Sequence, residues 1–549
     1  MEPDLMVPSQ PHIPVAAPTP GAGRRFAFLV STTPCVRVIR DNLGSSAYSY
    51  SFVLDALAPV LERLGTWRLL DRPESQLPHL AAKAVAEGLR PVHLALNPLQ
   101  DVYLSPALPN ILFPFWEFPD LPDRSFGFDT RQDWTRAARH ASLVLAACEF
   151  TADAFRRAEV GCPVAVVPVP LDPAFFELPP WDPAHAIRLT CRHEIWGGEA
   201  VDDAPAQTNE APTNERRRSY RRRAWDLARA GFRRIEPRLD PELVGRLTRL
   251  RHRVATHAGK SPAKVAYLAA RAGYRKAIRP WLSTEALERI TAFKARLLTL
   301  AGRSPQAVVD PLLPSGRLTL SGLVYTSFFN VGDLRKNYRD LLSASLLAFR
   351  DRPDVTLVLK LATSPHREHN EVGVLRREYE ALGLSHRCRV VVVTEYLDGP
   401  QMAALFRATT FYVNTSHAEG ACLPLQRALA GGRPAIAPDH TAMADYMDAA
   451  VGFVPRSHPE PTHWPHDPER RMETWRHRLV WSDIEAMLRE SAEVAERDRP
   501  RYEAMASAAR RRMTGYASRT VATEALRRAL ELLPEAPVGA IGWGNLASA

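Results

Sequence analysis

The stretch that decides the fold runs from Asn414 to Asp445, NTSHAEGACLPLQRALAGGRPAIAPDHTAMAD. Just before it, residues 409–413 (TTFYV) form an apolar run suited to a buried parallel strand. A polar loop follows, with Glu419-Gly420 at a small-residue turn. A short apolar helix, a Gly-Gly-Arg-Pro break at 431–434 and a second apolar strand, Ala435-Ile436-Ala437, come next. Strand, loop, helix, turn, strand is one βαβ unit, and ligands in open α/β sheets sit outside the carboxyl ends of such strands. Loop amides at a helix N-terminus suit a phosphate, and a carboxylate beside them suits sugar hydroxyls. The chemistry indicated is that of a nucleotide-sugar site.

Working outward, the same alternation fills 316–460. Strands are expected at 318–320, 324–325, 355–360, 390–393, 411–413 and 435–437, with helices near 337–350, 370–382, 399–407 and 424–430. This calls for a parallel sheet covered on both faces. Residues 24–180 repeat the pattern. A first strand at 26–30 leads, through the loop around Gly44, to an amphipathic helix near 50–64. Further strands are expected at 66–70, 92–96, 111–115, 143–147 and 164–167. Before them, the acidic, proline-rich segment 1–23 reads as a disordered lead and not as a signal peptide.

Residues 181–315 fit neither half. Residues 203–215 are polar and without aromatics, which suits a flexible link. Helical patterns follow near 216–233, 240–258, 261–279 and 283–301. The span 216–303 carries 24 Lys/Arg against 6 Asp/Glu, a local net of +18, so the rest of the chain carries −8 of the total +10. The basic character belongs to this insert alone. With Tyr220, Trp225, Phe232 and Tyr274 among its arginines, it suits an anionic membrane surface, a protein partner or a solvated helical hairpin. Nucleic acid ranks last, because no recognition motif accompanies the charge. After 454 the chain is rich in proline and histidine, and 461–549 is expected to end in helices that pack back on the core.

With 549 residues, 46% of them hydrophobic, the chain can build two or three sizeable cores. No apolar run approaches the ~20 residues of a membrane span. Six cysteines without C-x-x-C spacing read as buried thiols of a cytoplasmic protein. His463, His466 and Asp467 are too weak a pattern for a metal, and none is assigned.

The run 416–434 resembles the signature of group 1 (GT4-like) retaining GT-B glycosyltransferases, roughly S-x-x-E-G-x-x-L-P-x-x-E-A-x-A-x-G-x-P. Glu419, Gly420, Leu423, Pro424, Ala428, Ala430, Gly432 and Pro434 fall in register. The second glutamate, which in the family usually holds the ribose, is replaced by Arg427. The resemblance implies an α/β GT-B fold, two Rossmann-like domains facing a cleft, here with a basic α-helical insert. It implies retaining transfer from a nucleoside diphosphate sugar, UDP- or GDP-linked, to a glycan or lipid-linked acceptor, with no further cofactor. Glu419 is expected to contact the donor sugar, and the loop Gly420, Ala421, Cys422, Leu423 a diphosphate oxygen. Where the family carries G-R-x-x-x-x-K-G, this chain has Asn330 in the arginine slot and Lys336 in the lysine slot, with Arg335 able to reach the same phosphate. Lys360, closing its strand, is a further cation, and Gly44 marks a small-residue loop. In the first half, Trp116-Glu117 stands where the family often has a histidine and an acid. The pair reads equally as a sugar-binding ring with its carboxylate, or as a core tryptophan with a capping glutamate.

Overall fold

The computed structural model describes residues 26–32, 49–126, 129–198, 313, 315–364, 367–467 and 469–534. The chain divides into two compact units, Met1–Asp203 with Pro311–Ala549, and Ala204–Asp310. The second unit lies outside the described residues, and with it the basic insert 216–303. The lead 1–23 and Gly44 lie outside them too.

Apolar runs build the first sheet. β1 (Phe26–Thr32), β2 (Gly65–Leu70), β3 (Arg90–Leu96), β4 (Asn110–Leu112), β5 (Leu143–Ala146) and β6 (Val164–Val166) pair in the order β2-β1-β3-β4-β5-β6. Every pairing is parallel. The helix Ser49–Leu64 buries Val53, Leu54, Leu57, Val60 and Leu61 at helical spacing against this sheet.

The second sheet has eight strands: β7 (Ile187–Trp196), β8 (Ser315–Leu320), β9 (Leu323–Phe329), β10 (Val355–Leu361), β11 (Arg389–Val393), β12 (Phe411–Val413), β13 (Ala435–Ile436) and β14 (Gly452–Phe453). Their order is β14-β13-β12-β9-β10-β11-β7-β8. From β14 to β11 the pairings are parallel, and β10 and β11 are buried on both faces. This is the expected α/β architecture, one parallel and one mostly parallel sheet with covering helices. β7 corrects the expected boundary, because residues 187–196 belong to this sheet and not to a linker. β7 runs antiparallel to β11 and to β8, and residues 204–310 fall between β7 and β8 in the sequence.

A second correction concerns the proline- and histidine-rich stretch. β15 (Ser457–His463) and β16 (Glu473–Leu479) form an antiparallel hairpin of their own. Pro459 and Pro461 are tolerated in β15 because it has a neighbour on one side only. Trp464 and Met472, at the hairpin's end, sit in a core cluster with Trp116, Phe126 and Trp134 of the first half.

The chain then forms helices Trp481–Arg497, Arg499–Ala517 and Arg519–Glu531. The last carries Ala522, Leu526, Ala529 and Leu530 into the core beside Val53 and Leu57 of the first half. Among the described residues, no helix is long and apolar enough to cross a membrane.

Candidate active site

The loop between β12 and the helix Leu423–Ala430 leaves the carboxyl end of a central strand, and residue 419 falls in the middle of it. Glu419 is buried, and both of its carboxylate oxygens have partners. Lys336 Nζ donates to Oε1 at 2.6 Å and to Oε2 at 2.9 Å, Ser416 Oγ to Oε1 at 2.6 Å, and Arg335 Nη1 to Oε2 at 3.3 Å. Burial alone would raise this carboxyl. Lys336 and then Arg335 outweigh it, with hydrogen bonds from Lys336 and Ser416, and hold it at about 2. Burial pulls the Lys336 ammonium down, but Glu419, with Asp333 and Cys422 adding to it, outweighs this and the group ends raised.

The two cations come from the end of β9. Asp333 caps the short turn Leu334–Lys336: its carboxylate accepts from the Arg335 amide at 3.1 Å and from Arg335 Nη2 at 2.9 Å. Arg335 Nη1 also donates to the Ala418 carbonyl, and Arg335 Nε lies 3.2 Å from Glu117 Oε1. Glu117 belongs to the first half, so this ion pair joins the two halves at the site. Burial raises the Glu117 carboxyl, and Arg335 opposes that only in part. Three carboxylates, Glu117, Asp333 and Glu419, thus surround two cations.

The loop backbone is pinned from several sides. Thr441 Oγ1 accepts from the Glu419 amide at 3.0 Å while Thr441 itself sits at φ +53°, a left-handed conformation a β-branched residue rarely adopts. A Cβ on Gly420 would meet the Trp116 backbone N and O at 3.2 Å, so any other residue here would push the loop and the first half apart by a few tenths of an ångström. The Gly420 carbonyl accepts from Cys148 Sγ at 3.6 Å, and the Ala421 carbonyl from Tyr446 and Gln426, each at 2.8 Å. Cys422 lies at φ +55° as the N-cap of the helix that Leu423 begins. Its thiol is pushed well up by burial and by Glu419, and it accepts from Asn414 Nδ2 at 3.0 Å.

The hairpin is stitched to the same loop. His417 donates its amide to the Arg335 carbonyl and its Nδ1 to the His477 carbonyl, each at 2.8 Å, while the His477 amide returns to the His417 carbonyl at 3.0 Å. His477 stacks on His440 at 4.2 Å. Burial, then His477 and His417, push His440 down to about 3, so this histidine stays neutral.

Of the expected site residues, the structure brings Glu419, Lys336, Arg335 and Glu117 together, with Gly420, Ala421, Cys422 and Leu423 in the loop that carries Glu419. Trp116 is a correction. Its ring is 1% exposed, donates Nε1–H to the Asp120 carbonyl at 3.0 Å and packs on Trp134 at 4.6 Å, leaving no face for a sugar. Arg427 lies over the Phe175 ring at 5.6 Å, on the side of its helix that meets Pro173–Phe176. Lys360 is buried and donates to the Leu361 carbonyl at 2.7 Å; burial pulls it down to about 8. Among the described residues, no hydrogen bond or ion pair joins it to Glu419, Arg335 or Lys336. Sequence reading missed Asp333, Ser416, Thr441 and the His417–His440–His477 group. Asp333 carried a local signal, an acidic cap two residues before an arginine, and so did Ser416, the serine that opens the S-x-x-E-G pattern. Asp467, from the weak metal pattern, is taken up by the amides of Glu469, Arg471 and Met472.

No protein-family model and no curated protein matches the chain. Among solved structures it is similar to Anabaena HepE in complex with UDP and glucose, with 14% identity, 92% of this chain and 100% of that one covered, and a TM-score of 0.44. It is similar to sucrose-phosphate synthase from Thermosynechococcus elongatus, with 11% identity, 93% and 99% coverage and a TM-score of 0.44. A glycosyltransferase from Rickettsia africae gives 8% identity, 93% and 100% coverage and a TM-score of 0.46.

Proposed function

We propose that this protein is a GT-B glycosyltransferase of the group 1 kind, moving a sugar from a nucleoside diphosphate sugar to a hydroxyl acceptor with retention at the anomeric carbon. The observation that carries this reading is the Glu419–Lys336–Arg335 cluster at the carboxyl end of the second sheet, faced by Glu117 from the first. A carboxylate held ionised at about 2 is an acceptor for donor-sugar hydroxyls and stabilises positive charge developing at the anomeric carbon. Lys336 and Arg335 supply the fixed cations that a departing diphosphate needs, and preorganisation by Ser416, Asp333 and the Ala418 carbonyl spares their rearrangement during the reaction. Loop residues Gly420 to Leu423 lead into a helix N-terminus, a favourable place for a phosphate oxygen. Retention in this family is usually explained by front-face attack with the leaving phosphate as base, which calls for no nucleophilic side chain. Glu117 then serves the acceptor side.

The donor is UDP- or GDP-linked in this reading and the acceptor a glycan or lipid-linked glycan. The basic segment 216–303 docks the enzyme on an anionic membrane at the cytoplasmic face. Sedimentation with anionic liposomes, with and without that segment, tests the docking: equal binding sinks it. The catalytic reading is tested by incubating the full chain with a panel of UDP- and GDP-sugars without acceptor. Slow release of nucleotide from one of them is expected. No release and no thermal shift across the panel would overturn the enzyme reading.

A second reading has its own observation. The position that holds ribose in the family is Arg427, and it is spent on the Phe175 ring. A donor site lacking that carboxylate fits a binding or scaffolding protein, and the same panel decides between the two.

A further inference from the structure

The charge balance of the site points to a function for Glu117 that its position alone does not state. Arg335 offers a planar fork of donors, and each of its three nitrogens already has a partner. Nη1 goes to Ala418 and Glu419, Nη2 to Asp333, and Nε to Glu117. With three carboxylates around two cations the cluster carries a net charge of −1, which repels a diphosphate. An anion that takes two neighbouring N–H groups of Arg335 must displace a partner there, and three of those partners are the carboxylates.

They are not equally displaceable. Glu419 has a side chain 5% exposed and is held by Lys336 and Ser416 as well. Asp333 caps the turn that carries Arg335, so releasing it undoes the backbone there. Glu117 has a side chain 23% exposed and, among the described residues, no hydrogen bond or ion pair besides Arg335 Nε. Its backbone is fixed meanwhile. The preceding residue, Trp116, accepts from Thr151 Oγ1 at 2.7 Å through its carbonyl and is locked by its ring, so the glutamate swings on a rigid base.

We propose that Glu117 is a placeholder for the donor's phosphate: it neutralises Arg335 across the two halves in the empty site, and a phosphate or diphosphate takes the guanidinium by displacing it. The freed carboxylate then lies between donor and acceptor, ready to accept a hydrogen bond from the acceptor hydroxyl. This rests on the donor-site reading above, but the anion exchange is separable from the nucleotide.

Calorimetric titration of the full chain with UDP, GDP and inorganic pyrophosphate, for wild type, Glu117→Gln and Glu117→Gln/Arg335→Gln, tests it. Removing the competing carboxylate is expected to tighten pyrophosphate and the cognate nucleotide by roughly tenfold. The gain is expected to vanish in the double variant. Equal or weaker binding by folded Glu117→Gln overturns the placeholder, as does a gain that survives loss of Arg335. Tightening of pyrophosphate alone, with neither nucleotide bound, supports the placeholder and sinks the donor reading. Failure of all three probes with every variant sinks both.

Discussion

Two junctions join the halves beside the loop 414–422, one aromatic and one ionic, and adjacent residues of the first half supply them. Trp116 enters a buried cluster with Trp134, Phe118 and Trp464, the last delivered by the hairpin of the second half. Glu117 faces the other way, onto Arg335. The rings hold by burial and shape, which tolerate no ligand. The charges hold by pairing that a ligand can replace, because ionic partners exchange without opening a cavity. The aromatic junction therefore fixes the geometry within which the ionic one can switch.

Removing Glu419 is the strongest way to break this contrast. Glu419→Ala leaves Lys336 and Arg335 buried without their shared carboxylate, an expected cost of about 3–5 kcal/mol by thermal or denaturant unfolding, with loss of donor turnover. Turnover that survives in a folded Glu419→Ala protein removes it from the site. The acid limb has a definite sign. The folded carboxyl, at about 2, lies below its ordinary 4.5, so this cluster's contribution is complete above 4.5 and is lost as pH falls toward 2. Glu419→Gln should flatten that part of the acid unfolding curve.

The aromatic junction ranks next. Trp116→Ala is expected to cost about 3–5 kcal/mol by cavity formation. A double-mutant cycle of Trp116→Phe with Trp464→Phe should return a coupling of about 0.5–1.5 kcal/mol while UDP affinity stays put. Zero coupling would show that the hairpin does not clasp the first half through these rings.

The smallest effect sharpens the comparison at the backbone. Thr441→Ala should cost about 1–2 kcal/mol by orphaning the buried Glu419 amide. Thr441→Gly should cost less, since glycine relieves the positive φ by about 1 kcal/mol. If both variants unfold alike, the strain at Thr441 is not carried in the native state.

The sheets were legible because strands such as VTLVLKL (355–361) and RVVVV (389–393) are buried on both faces, leaving near-continuous apolar runs. β7, IRLTCRHEIW, was not. Its polar residues and its antiparallel place toward the sheet's edge erase that signal. The hairpin was hidden by prolines that ordinarily argue against a strand, and are harmless in a two-stranded ribbon.

By itself, the sequence determined the two α/β halves and the placing of a carboxylate at 419 and cations at 335 and 336, because periodicity and loop position are local properties. Only the tertiary structure decided which neighbours those groups meet. Trp116 and Glu117 are one residue apart, and nothing local sends the first into a core and the second onto an arginine more than two hundred residues away. That division follows from the Trp464 end of the hairpin and the close approach of Gly420 to the Trp116 backbone. Both are long-range contacts, set by how two finished halves pack.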